Sequence, residues 1–147
     1  MRVLIIHVDS FTCHITEKGR SKVLENFDEQ NRETTVGEAL LVLTSVEKGD
    51  EVAANEVANK AATSIEALAR QLKVNIIVLH SFAHLFAELG SPTDALNIMK
   101  LTEAALQNIT AKPPSWQIIR TPFGWFNTLD IKAKGHPLSK ISRTFIP

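Results

Sequence analysis

Cysteine is nearly absent from this 147-residue chain, with Cys13 standing alone. One thiol excludes an internal disulfide and a cysteine-built zinc site, and makes an intracellular, cytoplasmic setting the default. Long apolar runs are missing too. None approaches the roughly 20 residues that span a bilayer, so no membrane association is expected. The opening Met1-Arg-Val-Leu-Ile-Ile-His7 is too short for a signal peptide and has no small-residue cleavage site. Neither a Gly-x-Gly-x-x-Gly run, a Walker loop nor a Gly-x-Ser-x-Gly elbow occurs, which removes support for dinucleotide, phosphate-loop and serine-hydrolase chemistry. Net charge is lacking as well, since 16 Lys and Arg balance 16 Asp and Glu. That balance hides an asymmetry. Residues 111–147 hold Lys112, Arg120, Lys132, Lys134, Lys140 and Arg143 against Asp130 alone. Such a basic quarter suits a phosphate-bearing partner, or is simply a solvated face.

What is present reads as one globular α/β domain. Hydrophobic content of 44% and charged content of 22% are ordinary for a folded protein. Val3 to Val8 forms an apolar run closed by Asp9-Ser10 and predicts a buried strand. Residues 17–35 are polar without a sustained period and read as a long loop, of the length that is usually functional or mobile. Ala39 to Val46 predicts a central strand. From Glu51 to Lys73, Val57, Ala61, Ile65, Leu68 and Leu72 recur on one helical face. Val74 to Leu79 then follows as a strand, completing a right-handed crossover. Ser91-Pro-Thr-Asp94 starts a second helix, with Ala95, Ile98, Thr102, Ala105 and Ile109 on one face. Trp116 to Arg120 and Trp125 to Ala133 are the last two strands expected. The sum is a mixed β-sheet of about five strands with two helices packed on one face.

Five histidines invite a metal reading. His80 and His84 are four apart, yet they fall at a strand end and the loop beyond it, where helical ligand spacing loses its meaning. No metal site and no cofactor are expected. Cys13 and His14, adjacent on an extended segment, point apart and are not a catalytic pair. The segment from Ser81 to Pro92 is more suggestive. It leaves a buried strand and precedes a helix start, where ligands bind in open α/β sheets. Two turn signals, Pro122-Phe-Gly124 and Gly135-His-Pro137, bracket the strand from Trp125 and mark a second constrained stretch.

Phe82-Ala-His-Leu85, Pro122-Phe-Gly-Trp125, Lys134-Gly-His-Pro-Leu138 and Ser142-Arg143, with the opening run to Asp9 and Ser45-Val-Glu-Lys48, together resemble the amino-terminal editing domain of archaeal threonyl-tRNA synthetases. The resemblance covers residues 1–147, with 12–35 least alike. It implies a D-aminoacyl-tRNA deacylase-like fold, a homodimer, and hydrolysis of L-serine wrongly attached to threonine tRNA. The implied partners are the 3′ aminoacyl end of that tRNA and the remaining synthetase domains or a separate catalytic subunit. It implies substrate-binding roles for Ser45, Val46, Phe82, Ala83, Phe126, Lys134 and His136, with Val46 and Ala83 acting through backbone groups. His84 matches the family's pocket histidine. At two further candidate catalytic positions the chain departs from the family, with Asn127 where a lysine is common and Lys140 where a glutamate is. Alternatives from the same resemblance are a D-aminoacyl-tRNA deacylase and an inactive tRNA-binding or dimerisation module. His136 between Gly135 and Pro137 favours an L-selective pocket over the D-selective relative, in which Gly and Pro adjoin.

Overall fold

The first strand runs far past the apolar run that announces it. In the computed structural model, which describes residues 1–85 and 88–147, β1 spans Arg2–Lys18. The polar pair Asp9-Ser10 does not end it, because the register shifts between Val8 and Ser10 and the bulge absorbs the extra residue. Beyond the bulge, Phe11, Cys13 and Ile15 are buried, and Thr12, His14 and Thr16 alternate with them. The loop expected over residues 17–35 is shorter at both ends. β1 takes its start, and β2 (Glu33–Val36) takes its end by pairing antiparallel with Phe11 to His14.

β3 (Ala39–Ser45) is buried throughout and pairs antiparallel with Arg2 to Val8. α1 (Ala54–Leu72) follows a short 3-10 turn, and α2 (Pro92–Ile109) begins at the predicted cap, where the Ser91 hydroxyl accepts from the Asp94 amide at 3.1 Å. β4 (Ile76–Ser81) and β5 (Gln117–Arg120) extend the sheet in parallel from β3, each reached through a helix. β6 (Trp125–Ala133) and β7 (Lys140–Thr144) both pair antiparallel with β1 on the side away from β3. Among the described residues the mixed sheet therefore has seven strands, ordered β2-β1-β3-β4-β5 with β6 and β7 along the outer side of β1. The two strands beyond the expected five, β2 and β7, are short and mostly polar, so neither shows an apolar run.

Both helices pack on one face of the sheet. Val57, Ala61 and Ile65 of α1 and Ile98, Met99 and Leu106 of α2 meet Val3, Ile5, Leu40, Val42, Ile77 and Leu79. The expected stripe of α2 is rotated, since Ile109 is exposed while Met99 and Leu106 are buried. The other face closes on itself. Val8, Phe11, Leu41 and Val78 form a second apolar cluster beneath the curled strands. A sheet buried on both faces explains the unbroken apolar runs of β3 and β4.

β6 and β7 behave as one strand interrupted by an excursion. At the gap the His7 amide donates to the Ser139 carbonyl and the Lys134 amide donates to the His7 carbonyl, both at 2.8 Å. Residues 135–138 loop out between these bonds. Among the described residues no helix is long and apolar enough to cross a membrane.

Candidate functional site

A cleft of about 820 Å³ opens beyond the C-terminal ends of β3 and β4. Its floor is Thr44 to Val46 from β3 and His80 to His84 from β4 and the turn after it. Val46 is fixed from two sides. Its carbonyl accepts from the Gly90 amide at 3.0 Å, and the next amide, Glu47, donates to buried Asp50 at 2.8 Å. Asp50 in turn pairs with the buried Met1 amino group at 2.6 Å. The Phe82 amide donates to the Thr44 carbonyl at 2.8 Å, which carries the β3–β4 ladder to the rim. His84 lies exposed, its ring edge-on to Phe82 at 5.8 Å between centroids. Pro92, Ala95 and Met99 of α2 form an apolar side wall. The suggestive segment from Ser81 to Pro92 thus borders the cleft at both ends, and Phe86 and Ala87 within it lie outside the described residues.

The opposite wall is Phe123 to Asn127 and Leu129. A dense set of contacts holds it. Gly124 has φ +94°, a conformation that favours glycine, and the Gly19 amide donates to its carbonyl at 2.9 Å. A Cβ on Gly124 would lie 2.4 Å from the Val23 carbonyl oxygen. Glu25 links the segment after β1 to this turn. Its carboxylate takes the Arg120 guanidinium through two nitrogens and the Phe123 amide at 2.9 Å, while the Trp125 indole donates to its carbonyl at 2.7 Å. Burial opposes the Glu25 charge, but these donors outweigh it and hold the carboxyl below its ordinary range. Arg120 also pairs with Glu103 at 2.7 Å. The polar segment following β1 is therefore part of the site's frame.

His80 is buried at the cleft floor, with Nδ1 2.8 Å from the Thr121 hydroxyl. Burial pushes its pKa down to about 4, so the imidazole is neutral near pH 7. Among the described residues, two buried side-chain oxygens have no hydrogen-bond partner, Ser45 Oγ and Asn127 Oδ1, and both residues line this cleft. Asn127 Nδ2 donates to the Trp125 carbonyl at 3.2 Å, which fixes the amide's orientation and turns the oxygen away from that bond.

Of the residues singled out from the sequence, Ser45, Val46, Phe82, Ala83, His84, Phe126 and Asn127 come together here. Lys134, His136 and Lys140 do not line the cleft. Asn127 pairs with Ile15 and Lys140 with Ile6 along β1, nine positions apart. That puts their backbones about 30 Å apart at the rise of an extended strand. Lys134 pairs with Asp9 and, at 3.5 Å, with Glu38; Lys140 Nζ donates to the Lys134 carbonyl at 2.8 Å. Two of the six cations of the basic quarter, Arg120 and Lys134, are thus neutralised within the fold. No group of three metal-ligating side chains occurs among the described residues. Sequence reading weighed His80 only as a metal ligand and Gly124 only as a turn residue, and it missed Arg20 and Gly19, whose roles depend on pairings across the chain.

Comparison with known proteins identifies the family of the chain. The family model described as the archaea-specific editing domain of threonyl-tRNA synthetase matches residues 1–145. Similar proteins include the threonine--tRNA ligases of Thermococcus sibiricus, 39% identical, Methanosarcina mazei, 37%, and Methanopyrus kandleri, 35%. Each match covers 100% of this chain and only 22–23% of the relative. The chain belongs to the archaea-specific editing domain family of threonyl-tRNA synthetase, and membership implies a role in proofreading.

Proposed function

We propose that this member of the editing domain family hydrolyses L-seryl esters of threonine tRNA and spares the threonyl ester. The need for such a site is physical. A pocket that accepts threonine excludes serine weakly, since one missing methyl is worth about 1–3 kcal/mol. A second site too small for threonine restores fidelity. The supporting observation is the pair of orphaned oxygens, Ser45 Oγ and Asn127 Oδ1, in one cleft. Buried polar atoms cost stability unless paired, and a polar ligand such as an aminoacyl adenosine supplies the partners.

In the reaction, water attacks the ester carbonyl, the bond to the ribose oxygen breaks, and a proton passes to that oxygen. Among the described residues the cleft is lined by no carboxylate and no lysine, and Asn127 is bonded to its own strand. This composition favours a site that holds the ester by shape and backbone groups, with the terminal 2′-hydroxyl of the tRNA positioning the water. A deacylation assay on Ser-tRNA(Thr) and Thr-tRNA(Thr) tests the reading. Selective loss of serine supports it, and equal stability of both esters overturns it. An unchanged rate on tRNA ending in 2′-deoxyadenosine would refute the RNA-assisted step.

The lack of a carboxylate or a lysine among the described residues of the lining also favours a second reading, an inactive tRNA-binding module. Tight binding of a non-hydrolysable seryl-adenosine with no turnover of the ester would establish it. On either reading the chain acts as a cytoplasmic unit of a longer synthetase or editing subunit. The implied homodimer gives Lys134, His136 and Lys140 a route to substrate, through the partner's cleft.

A further inference from the structure

Among the described residues, Arg20 is the single one with a formal charge on the cleft lining. It stands exposed at the rim, and its guanidinium has no hydrogen bond or ion pair among the described residues. This isolation contrasts with the other cations near the cleft wall. Arg120 is held by Glu25 and Glu103. The backbone beside Arg20 is also fixed. The Gly19 amide is bonded to Gly124, and a Cβ on Gly19 would meet the Gly124 carbonyl oxygen at 2.6 Å. Ser21 follows with its hydroxyl accepting from the Val23 amide at 3.0 Å. A cation on a pinned backbone, facing a cleft whose described residues include no acid, is complemented by a charge that the ligand brings.

We propose that Arg20 forms a subsite for the phosphodiester that joins the terminal adenosine to the preceding nucleotide. The proposal rests on the aminoacyl-adenosine reading of the cleft. The aminoacyl group and nucleoside occupy the cleft, and the one anionic group they carry, at the 5′ position, meets Arg20 at the rim. Arginine suits this role because its planar fork engages two phosphate oxygens at once. The subsite positions the substrate and takes no part in bond making. It also supplies a positive charge to a cleft in which Asn127 offers none.

The test compares two non-hydrolysable ligands by calorimetry, 3′-seryl-amido-3′-deoxyadenosine and the same compound bearing a 5′-methylphosphodiester. The wild type is expected to bind the phosphorylated compound about tenfold more tightly. Arg20→Gln should lose that gain and keep its affinity for the bare nucleoside, while Arg20→Lys retains part of it. The salt dependence of tRNA binding should flatten by about 0.7 in the log–log slope on Arg20→Gln. Lys112→Gln, remote from the cleft, should leave the phosphate gain intact. A gain that survives in Arg20→Gln, or an equal loss for both ligands, overturns the subsite. Failure of the wild type to bind either compound overturns the cleft reading itself, and the subsite with it.

Discussion

His7 Nδ1 lies 2.8 Å from His136 Nε2, joining residues 129 positions apart at the base of the Gly135–Leu138 excursion. The Leu138 amide donates to His136 Nδ1 at 3.3 Å, so the proton of that ring sits on Nε2 and points at His7. His7 Nε2 then donates to Glu38 at 3.0 Å. His7 also bonds both ends of the excursion through its backbone. His7→Phe should therefore cost about 2–3 kcal/mol, from two lost hydrogen bonds and an unpaired His136. Urea unfolding checks the magnitude, and faster amide exchange at Leu138 and Ser139 checks the location.

Ser45 should show stability and function moving in opposite directions. Its hydroxyl is buried without a partner, so Ser45→Ala is expected to leave stability unchanged or raise it by about 1 kcal/mol. Affinity for the seryl-adenosine analogue should fall about tenfold. A variant that loses stability while keeping affinity would remove Ser45 from the site.

His80 predicts an acid-sensitive fold. The unfolded imidazole binds a proton near pH 6.5, the folded one only near pH 4, because burial disfavours its charge. The unfolded state is the more protonated between these values, so stability falls as pH drops from 6.5 to 4, by about 3 kcal/mol. His80→Gln should flatten that window. The Glu25 carboxylate, held low by its donors, contributes a separate loss at more acidic pH.

Gly124→Ala tests the turn that carries the cleft wall. The added methyl meets the Val23 carbonyl in a backbone conformation that costs strain for any side chain, and about 3 kcal/mol of stability should be lost. The Trp125 indole bond to Glu25 should loosen with it, which its fluorescence would report.

A complementation experiment tests the homodimer. Ser45→Phe, which fills the cleft, and His136→Ala each lower activity if the excursion serves the partner's cleft. Mixing the two variants should then restore roughly a quarter of wild-type activity, since half the dimers are mixed and each has one intact site. No recovery on mixing would show that the excursion acts within its own protomer or not at all.

Elements whose pattern is local are legible in the order of residues alone. The apolar runs of β3 and β4 are fixed by burial on two faces, α1 by its stripe, and the start of α2 by Ser91 and Pro92. The ordered motifs were enough to indicate the family, and seven of the named site residues meet in one cleft. Tertiary structure decided the rest, because those outcomes depend on which distant strand each segment meets. β1 continues past Asp9-Ser10 only because a bulge can pair with β6. β2 and β7 exist only as partners of β1, having too little apolar surface to declare themselves. The separation of Asn127 from Lys140 follows from their register on one long strand. Gly124 is legible as a turn but its contact with Gly19 is not; the two touch because Glu25 draws the polar segment onto the turn, and that contact holds Arg20 at the rim.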